Sequence, residues 1–334
     1  MNRAAPYIGE VFMRIPPLIN IFSQYKDDSL RILYYHMVSS INHEYYFNNK
    51  AISIPDFKES IRFFKKKYDI ISLDDVFEIV RENGSLKKKL VVTFDDGFIE
   101  NYTTIAPILI DENIRATFFI ISNCIDNKDL MWRNKLLIID KYKNNQLFET
   151  IESISKVYNL PMIKKNENLL SWSYNSWLMV NKDEIVNKLW NSSMQFGINE
   201  YLEKHKPYCT SNQIIELFNN GFTIGSHSMS HPLFNKLSLS EIYEEISVSA
   251  EKIGKIINNQ VNYFSYPFGM RASNHDEKQF LNQNNNIYSL LGIRNTLKNT
   301  KENLTKLERD NVEFSLNETM FRFYLLPLLR RMYL

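Results

Sequence analysis

The stretch LVVTFDDG, residues 90–97, decides the fold class of this chain. Its first part is apolar or β-branched without a break, which is typical of a strand buried on both faces in a parallel sheet. The strand ends in Asp95 and Asp96, and a glycine follows. Because α/β proteins keep their reactive groups at the carboxyl ends of parallel strands, the two aspartates are candidates for chemistry. Asp-Asp-Gly is also a common turn sequence, so this stretch alone does not establish a site.

A second polar stretch, SHSMSHP at residues 226–232, follows another short apolar run at residues 221–225. His227 and His231 are four residues apart, so both imidazoles can face one point from a helical turn or a tight loop. Together with one carboxylate of the first stretch they would provide three protein ligands and leave a coordination position open. That number is typical of a catalytic metal site. A surface pair or a hydrogen-bonded core pair of histidines is the alternative interpretation.

The composition is that of a globular protein with one large domain, or with a domain and an insertion. The chain has 334 residues, of which 44% are hydrophobic and 23% charged. A formal net charge of +2 lacks the basic excess of nucleic-acid binders, so we expect no nucleic-acid partner. Two cysteines, Cys124 and Cys209, are too few for a disulfide framework, and we expect both to be buried thiols.

The two ends of the chain bear on its location. Glu10, Arg14 and the Pro16-Pro17 pair interrupt the apolar run that a secretory signal needs, and no stretch has the ~18 residues of a spanning helix. We therefore expect a cytoplasmic protein. The segment 321–334 mixes aromatics, leucines and arginines as an interfacial helix does, which predicts peripheral contact with the inner face of the membrane. A terminal helix docked on the body of the protein is the alternative.

Strand-like and helical runs alternate over the first part of the chain. Strands are predicted at residues 31–36, 70–73, 87–94 and 116–121, with helices at residues 57–68, 76–82 and 102–112 between them. Asp74 and Asp75 are the candidate N-caps of the second helix. Because such connections are right-handed crossovers, this order predicts a parallel sheet or barrel.

The alternation stops between residues 125 and 208. This stretch shows helical segments, contains all four tryptophans and lacks a strand pattern. We interpret it as a helical insertion on the rim of the barrel, a lid that shapes substrate access. Its tryptophans could stack on a sugar face, but packing within the insertion is the stronger interpretation for most of them.

Alternation resumes after the insertion, and it sets the domain boundaries. A long helix is predicted over residues 239–257, opened by a capping box of Ser238 and Glu241, and strands at residues 222–226 and 261–266 flank it. We predict an N-terminal extension at residues 1–30, a barrel at residues 31–310 interrupted by the insertion, and a C-terminal segment at residues 311–334. No internal repeat is present.

Three motifs, taken in order, resemble one known family. TFDDG at residues 93–97, HSMSH at residues 227–231 and YPFG at residues 266–269 are similar to motifs of the polysaccharide deacetylases, the NodB-homology or carbohydrate esterase family 4 enzymes. The resemblance covers residues 31–124 and 210–309. It implies an α/β fold, a distorted (β/α)7 barrel, and metal-dependent removal of acetyl from an N-acetylated sugar.

The resemblance also implies roles for individual residues. By motif position, Asp96, His227 and His231 hold the metal, usually Zn²⁺, and Asp95 is the general base. The metal lowers the pKa of a water and polarises the acetyl carbonyl, while the unligated Asp95 can take a proton. The backbone N–H of Phe268, in a turn with Tyr266 and Pro267, would donate to the oxyanion and contact the substrate.

Two departures from the family pattern matter. Many members have an arginine that orients the base where this chain has Ser265, and Arg271 and Arg309 are the candidate replacements. The late strand whose histidine serves as general acid is also missing, because no histidine follows His275.

The stretch LYYHMV at residues 33–38 offers another acid. It resembles the N-terminal Tyr-His motif of the poly-N-acetylglucosamine deacetylase branch, in which the order of the barrel is circularly permuted. We therefore assign the general acid to His36, with a core histidine as the alternative interpretation. His275 is the second candidate acid, and His43 and His205 are expected to be solvated loop residues.

Four functions remain in competition. The first is a sugar N-deacetylase acting on an N-acetylhexosamine of a surface polysaccharide or of its lipid- or nucleotide-linked precursor. An O-acetyl esterase would use the same groups. A carbohydrate-binding barrel without turnover, and an adaptor at the membrane interface, are the non-enzymatic alternatives.

Overall fold

The computed structural model describes residues 29–46, 51–142, 144–164, 166–293 and 299–320. Within them, short parallel strands pair side by side into a nearly closed barrel, which confirms the predicted α/β fold. The strands are β1 (Arg31–Tyr35), β2 (Asp69–Ile70), β3 (Lys89–Phe94), β4 (Thr117–Ile120), β5 (Thr223–Ser226), β6 (Tyr263–Ser265), β7 (Ser289–Gly292), β8 (Lys306–Glu308) and β9 (Asp310–Asn311).

The barrel has seven strand positions. Around it the order is β8-β7-β6-β5-β4-β3-β1-β9, and β2 pairs only with β3. β8 and β9 are separated in the chain by Arg309 alone, and they pair with β7 and β1 respectively. They are therefore two halves of one strand that links the last part of the barrel to the first.

Alternating strand residues fill the barrel interior. One buried cluster draws its members from six different strands, which is possible only if these side chains point inward. At Gly225 an added Cβ would lie 2.4 Å from the Phe119 ring, so this position needs a glycine. The inward-facing members are Ile32, Val91, Phe119, Tyr263, Leu291 and Leu307.

Helices connect the strands, and local signals in the sequence explain where they begin and end. The helix predicted at residues 76–82 begins earlier, because Ser72 is its N-cap and Asp75 completes a capping box. The helices are α1 (Ile54–Lys67), α2 (Leu73–Arg81), α3 (Ala106–Asp111), α4 (Trp132–Ile139), α5 (Asn145–Val157), α6 (Leu169–Ser176), α7 (Lys182–Ser193), α8 (Ile198–His205), α9 (Ser211–Asn219), α10 (Leu239–Tyr243), α11 (Ser249–Ile257), α12 (Asn274–Gln283) and α13 (Leu316–Met320).

The long helix predicted over residues 239–257 is one rod with an irregular turn in its middle. Ser238 and Glu241 form the expected capping box at its start. Between α10 and α11 the backbone makes a π-helical turn, Glu244–Val248. Such turns contain an extra residue and re-aim the side chains around it.

The insertion is helical, as predicted. Helices α4 to α8 make up most of it and supply most members of one hydrophobic cluster, which also includes Met37, Phe98 and Leu233 from outside the insertion. All four tryptophans are buried there, so packing is their main role. Cys124 and Cys209 are buried free thiols, also as expected.

The terminal segments are described only in part. Residues 1–28 and 321–334, with the apolar runs that suggested membrane contact, lie outside the described residues. No helix within the described ranges is long and apolar enough to cross a membrane. Residues 311–320 begin inside β9 and pack on the barrel, where Val312 is buried.

Candidate metal centre and active site

The ends of β3 and β5 deliver the two polar motifs to one place. Asp95 and Asp96 follow β3, and the loop that begins at His227 follows β5. These strands flank β4 and are in register with it, so their carboxyl ends lie at the same edge of the barrel. Asp96 has φ 71° and His231 has φ 59°, backbone conformations that an L-residue holds only when its surroundings impose them.

Asp96, His227 and His231 converge on one point. The Oδ1 atom of Asp96 lies 3.4 Å from Nε2 of His227 and 3.4 Å from Nε2 of His231. Bonds of about 2.1 Å to a tetrahedral ion place neighbouring ligand atoms about 3.4 Å apart. Asp96 Oδ1 is buried and has no hydrogen-bond partner among the described residues. An orphaned carboxylate oxygen between two imidazole nitrogens fits a divalent metal.

Hydrogen bonds and burial prepare both histidines for that role. Nδ1–H of His227 donates to the carbonyl of Ser265 over 2.8 Å, which leaves Nε2 as the lone-pair atom facing Asp96. Burial lowers the pKa of His231 to about 4. Its imidazole is therefore neutral at physiological pH, which is the state that ligates a metal.

Asp95 lies beside this trio and is held by an ion pair with Arg309. Both of its oxygens accept from the guanidinium of Arg309, Nη1 to Oδ1 and Nη2 to Oδ2, each over 2.7 Å. Arg309 also donates to Oγ of Ser265 over 2.6 Å. Although burial alone would raise the pKa of Asp95, the Arg309 charge holds it below its usual value. Asp95 is therefore ionised at neutral pH.

The structure decides between the two candidate replacements for the missing arginine. Arg309 binds Asp95, as just described. Arg271 instead pairs with Glu277 and Glu308 inside the barrel wall. Arg309 lies between β8 and β9, whereas Ser265 ends β6, so the arginine that binds Asp95 comes from a later strand than the position of the usual family arginine.

His36 follows β1 and is bound to Glu313. Its Nδ1 lies 2.9 Å from Oε2 of Glu313, and its backbone N–H donates to Oε1 over 2.6 Å. Burial alone would lower the pKa of His36, but the Glu313 charge raises it to about 9. The imidazole is thus protonated at neutral pH, as a general acid must be.

One cavity of about 650 Å³ joins the metal side to His36. Helices α1, α4 and α13 contribute to its walls, so both the insertion and the segment 311–318 border the site. Its lining includes His36, Tyr46, Asp56, Asp96, Phe98, Met131, Arg133, Asn311, Glu313 and Glu318.

The turn after β6 packs against the metal side. Phe268 has φ 56°, and its ring meets the His231 ring edge-on at 4.5 Å. The ring of Tyr266 is buried against Phe234 and Phe264, away from the cavity lining. The oxyanion role of the Phe268 N–H and the substrate contacts of Tyr266 and Pro267 stay predictions.

The other histidines lie away from the metal ligands. His275 is exposed in the first turn of α12, and His205 is exposed at the end of α8 and stacks on Tyr201. The expectation that His43 is a solvated loop residue is wrong. Its side chain is only 16% exposed, and Nε2 lies 3.1 Å from a carboxylate oxygen of the buried Glu100.

Glu313 is the site residue that sequence reasoning missed. It lies in the segment assigned to the C-terminal extension, without a motif around it. Its position depends on the pairing of β9 with β1, in which Leu33 faces Asp310 and Tyr34 faces Asn311. No local pattern indicates that pairing.

The sequence model of one family, described as polysaccharide deacetylase, matches residues 82–154 and 180–287, more than half of the chain. The matched ranges include both aspartates and the two histidines of the metal centre. They leave out His36, Arg309 and Glu313. No curated protein sequence matches the chain.

Several solved structures share the fold. IcaB from Ammonifex degensii aligns with a TM-score of 0.57 at 15% identity, over 88% of this chain and 96% of that chain. The Streptococcus pyogenes deacetylase PplD, solved with acetate, aligns at 0.54 and 17% identity, over 89% and 98%. A de-N-acetylase from Aggregatibacter actinomycetemcomitans aligns at 0.54 and 17%, over 88% and 100%. At these identities the likeness concerns the fold.

Proposed function

The chain belongs to the polysaccharide deacetylase family, and from that premise we propose that it removes acetyl from an N-acetylhexosamine with the help of a bound metal. Membership makes it a hydrolase that deacetylates a polysaccharide. The finer proposal is that its substrate is a surface polysaccharide or the lipid- or nucleotide-linked precursor of one. The observation that carries the proposal is the ionised, unligated Asp95 held by Arg309 beside the Asp96, His227 and His231 trio.

The proposed metal is zinc. One carboxylate and two imidazoles form a donor set that zinc accepts in catalytic sites. When bound by Asp96, His227 and His231, the ion would supply a Lewis acid that polarises the acetyl carbonyl and makes water more acidic. The remaining steps belong to side chains of this chain.

Asp95 and His36 divide the proton transfers. Asp95, kept ionised by Arg309, takes a proton from the attacking water. His36, kept protonated by Glu313, gives a proton to the departing nitrogen. Their pKa values are shifted in opposite directions by these partners, so the base is ionised and the acid is protonated at the same pH.

The dedicated acid supports an amide as the bond that is cleaved. An amine leaves as a neutral group only after its nitrogen is protonated, so amide hydrolysis depends strongly on a general acid. An O-acetyl ester is the competing substrate for the same groups. The N–H of Phe268 would donate to the oxygen that becomes negative in either reaction.

A contact with the inner face of the membrane is a separate part of the proposal. It rests on the mixture of arginines, leucines and aromatics at residues 321–334. Flotation of the full chain with anionic vesicles, compared with a chain that ends at residue 320, tests it. Equal flotation of both chains would remove this part and leave the catalytic proposal intact.

The catalytic proposal is tested by acetate release. The purified chain is stripped with a chelator, reloaded with Zn²⁺ and incubated with N-acetylglucosamine oligomers, and in parallel with O-acetylated oligomers that lack N-acetyl groups. We expect acetate from the N-acetylated substrate only after reloading. Release from the ester alone would establish an esterase instead. Metal binding without any release, in a chain that still binds the oligomers, would favour a carbohydrate-binding barrel.

A further inference from the structure

The loop between the two metal-ligating histidines is held by side chains from outside the motif. We call residues 227–231 the metal loop. Glu245, in the π-helical turn between α10 and α11, accepts the backbone N–H of Met229 and that of Ser230, each over 2.9 Å. Its second oxygen accepts the hydroxyl of Ser230. One buried carboxylate thus satisfies three donors of the loop.

The same helical rod also binds Ser228, the remaining residue between the two histidines. Ser249, at the start of α11, donates its hydroxyl to the carbonyl of Ser228 over 2.9 Å and accepts from Ser226 over 2.8 Å. Glu245 and Ser249 are four residues apart on this rod, so their side chains lie on the same face and both reach the loop. Ser228, Met229 and Ser230 are therefore all bound from one helix.

The insertion holds the metal loop from its other side. Nζ of Lys182, in α7, donates to Oγ of Ser230 over 2.7 Å and to Asp183 over 2.7 Å. The Ser230 hydroxyl in turn donates a hydrogen bond to Glu245, so Lys182, Ser230 and Glu245 form a continuous chain of hydrogen bonds. Nε1–H of Trp132, in α4, donates to the carbonyl of His231 over 2.8 Å. Two helices of the insertion thus contact the loop directly.

These contacts stabilise a loop whose backbone conformation is unfavourable. Ser228 has φ 71° and His231 has φ 59°, which are unfavourable backbone conformations for residues other than glycine. Lys182 is 4% exposed and Glu245 is 8% exposed, and burying such groups costs free energy unless each is paired. Removing one member of this buried network would leave its partners unpaired, and the strained loop would lose contacts that fix its conformation.

We propose that Glu245 and Lys182 are positioning residues that hold the metal loop in the shape in which His227 and His231 face Asp96. The insertion is then part of the metal centre, in addition to bordering the cavity. This inference rests on the metal site of the proposed function. Glu245 and Lys182 contact neither the proposed metal position nor the cavity. We therefore expect their substitution to change the affinity for the metal.

The test compares Glu245→Gln with Glu244→Gln, since Glu244 is the exposed neighbour in the same turn. Lys182→Met is compared with Lys188→Met, because Lys188 lies on the same helix but pairs with Glu184 at the surface. The readouts are Zn²⁺ affinity by competition with a chelator, the visible absorption spectrum of the Co²⁺-loaded chain, and thermal unfolding of the metal-free chain. Residues that orient metal ligands typically change affinity by about 10- to 100-fold.

We expect Glu245→Gln to weaken Zn²⁺ binding at least about tenfold and to alter the Co²⁺ spectrum, because an amide NH₂ would then face the loop donors. Lys182→Met should do the same to a smaller extent, and both control variants should bind within about twofold of the wild type. If Glu245→Gln does not fold, Ser230→Ala removes the shared hydroxyl alone and should weaken binding as well.

Three results would overturn the inference. A lower unfolding temperature with unchanged Zn²⁺ affinity and an unchanged Co²⁺ spectrum would show that the network only stabilises the fold. Normal binding in every variant, with a wild type that binds Zn²⁺, would reject the positioning role while the proposed function stands. A wild type that binds no divalent metal would reject the proposed function first, and this inference with it.

Discussion

The candidate metal centre and the neighbouring acid–base pairs are built in different ways. In the candidate metal centre, the proposed ligands come from two short motifs, and His227 and His231 lie four residues apart on one loop. On the acid–base side, the partners are distant in the chain. His36 and Glu313 are separated by 277 positions, and Asp95 and Arg309 by 214. Functional residues that lie close together in the chain can be recognised from the sequence. Pairs that meet only when the barrel closes can be recognised only from the three-dimensional structure.

The difference extends to how each side is stabilised. The metal loop is bound mainly through its backbone, by Glu245, Ser249 and Trp132. The acid–base side depends on charged pairs, and the Asp95 and Arg309 side chains are 3% and 1% exposed. Removing one member of such a buried pair leaves an uncompensated charge, so substitutions there should change both catalysis and stability.

The largest effect is expected on the metal side. In His227→Ala one of three ligands is lost, so Zn²⁺ binding and acetate release should both fall below detection. His275→Ala, at the exposed histidine of α12, is the control and should match the wild type. Isothermal titration with Zn²⁺ and an acetate assay measure the two properties. Turnover in His227→Ala would contradict the metal centre.

The next largest effect separates the two adjacent aspartates. Asp95→Asn removes the base but no ligand, so kcat should fall by about 10²- to 10⁴-fold while Zn²⁺ still binds. Asp96→Asn should lose the metal as well. Steady-state kinetics together with metal content decide the point, and equal metal loss in both variants would show that the roles are not divided.

Arg309→Gln tests the ion pair between Arg309 and Asp95, which forms when the barrel closes. Arg309 lowers the pKa of Asp95, so its removal should raise that pKa and move the acidic limb of kcat/KM to higher pH. The free energy of unfolding should also fall by about 3–5 kcal/mol, because Asp95 is left buried and unpaired.

Arg271→Gln is the matched control for that change. Arg271 is also a buried arginine with two carboxylate partners, so its loss should destabilise the fold. It does not contact Asp95, and the acidic limb should stay in place. A shift of the limb in both variants would indicate a general loss of structure.

The smallest effect is expected at Glu313. Glu313 raises the pKa of His36 to about 9, so Glu313→Gln should bring it down toward the ordinary 6.5. The basic limb of kcat then moves to lower pH. At pH 7.5 only about one tenth of the imidazole would stay protonated, which predicts about a tenfold loss there and little loss near pH 6. Glu318→Gln, in the same cavity, is the control, and an unmoved basic limb in Glu313→Gln would argue against His36 as the acid.

The sequence by itself indicated a parallel barrel, the helical insertion and the two motifs whose Asp96, His227 and His231 the fold brings together. These conclusions rest on short-range patterns: an apolar run before Asp95 and Asp96, a spacing of four between His227 and His231, and alternating elements. Such patterns reflect interactions between residues near in the chain, which repeat in the same form in many proteins. His36, which the family resemblance suggested as the general acid, lines the cavity, and its role as the acid stays a prediction.

Only the tertiary structure decided which arginine holds the base, which carboxylate holds His36, and that the insertion contacts the metal loop. Each of these depends on a contact across a large part of the chain, set by the pairing of β1 with β9 or by the packing of α7 on the loop. Residues such as Glu313, Glu245 and Lys182 lie in stretches without a motif. Their partners are fixed by strand register and helix packing, which local preferences do not specify.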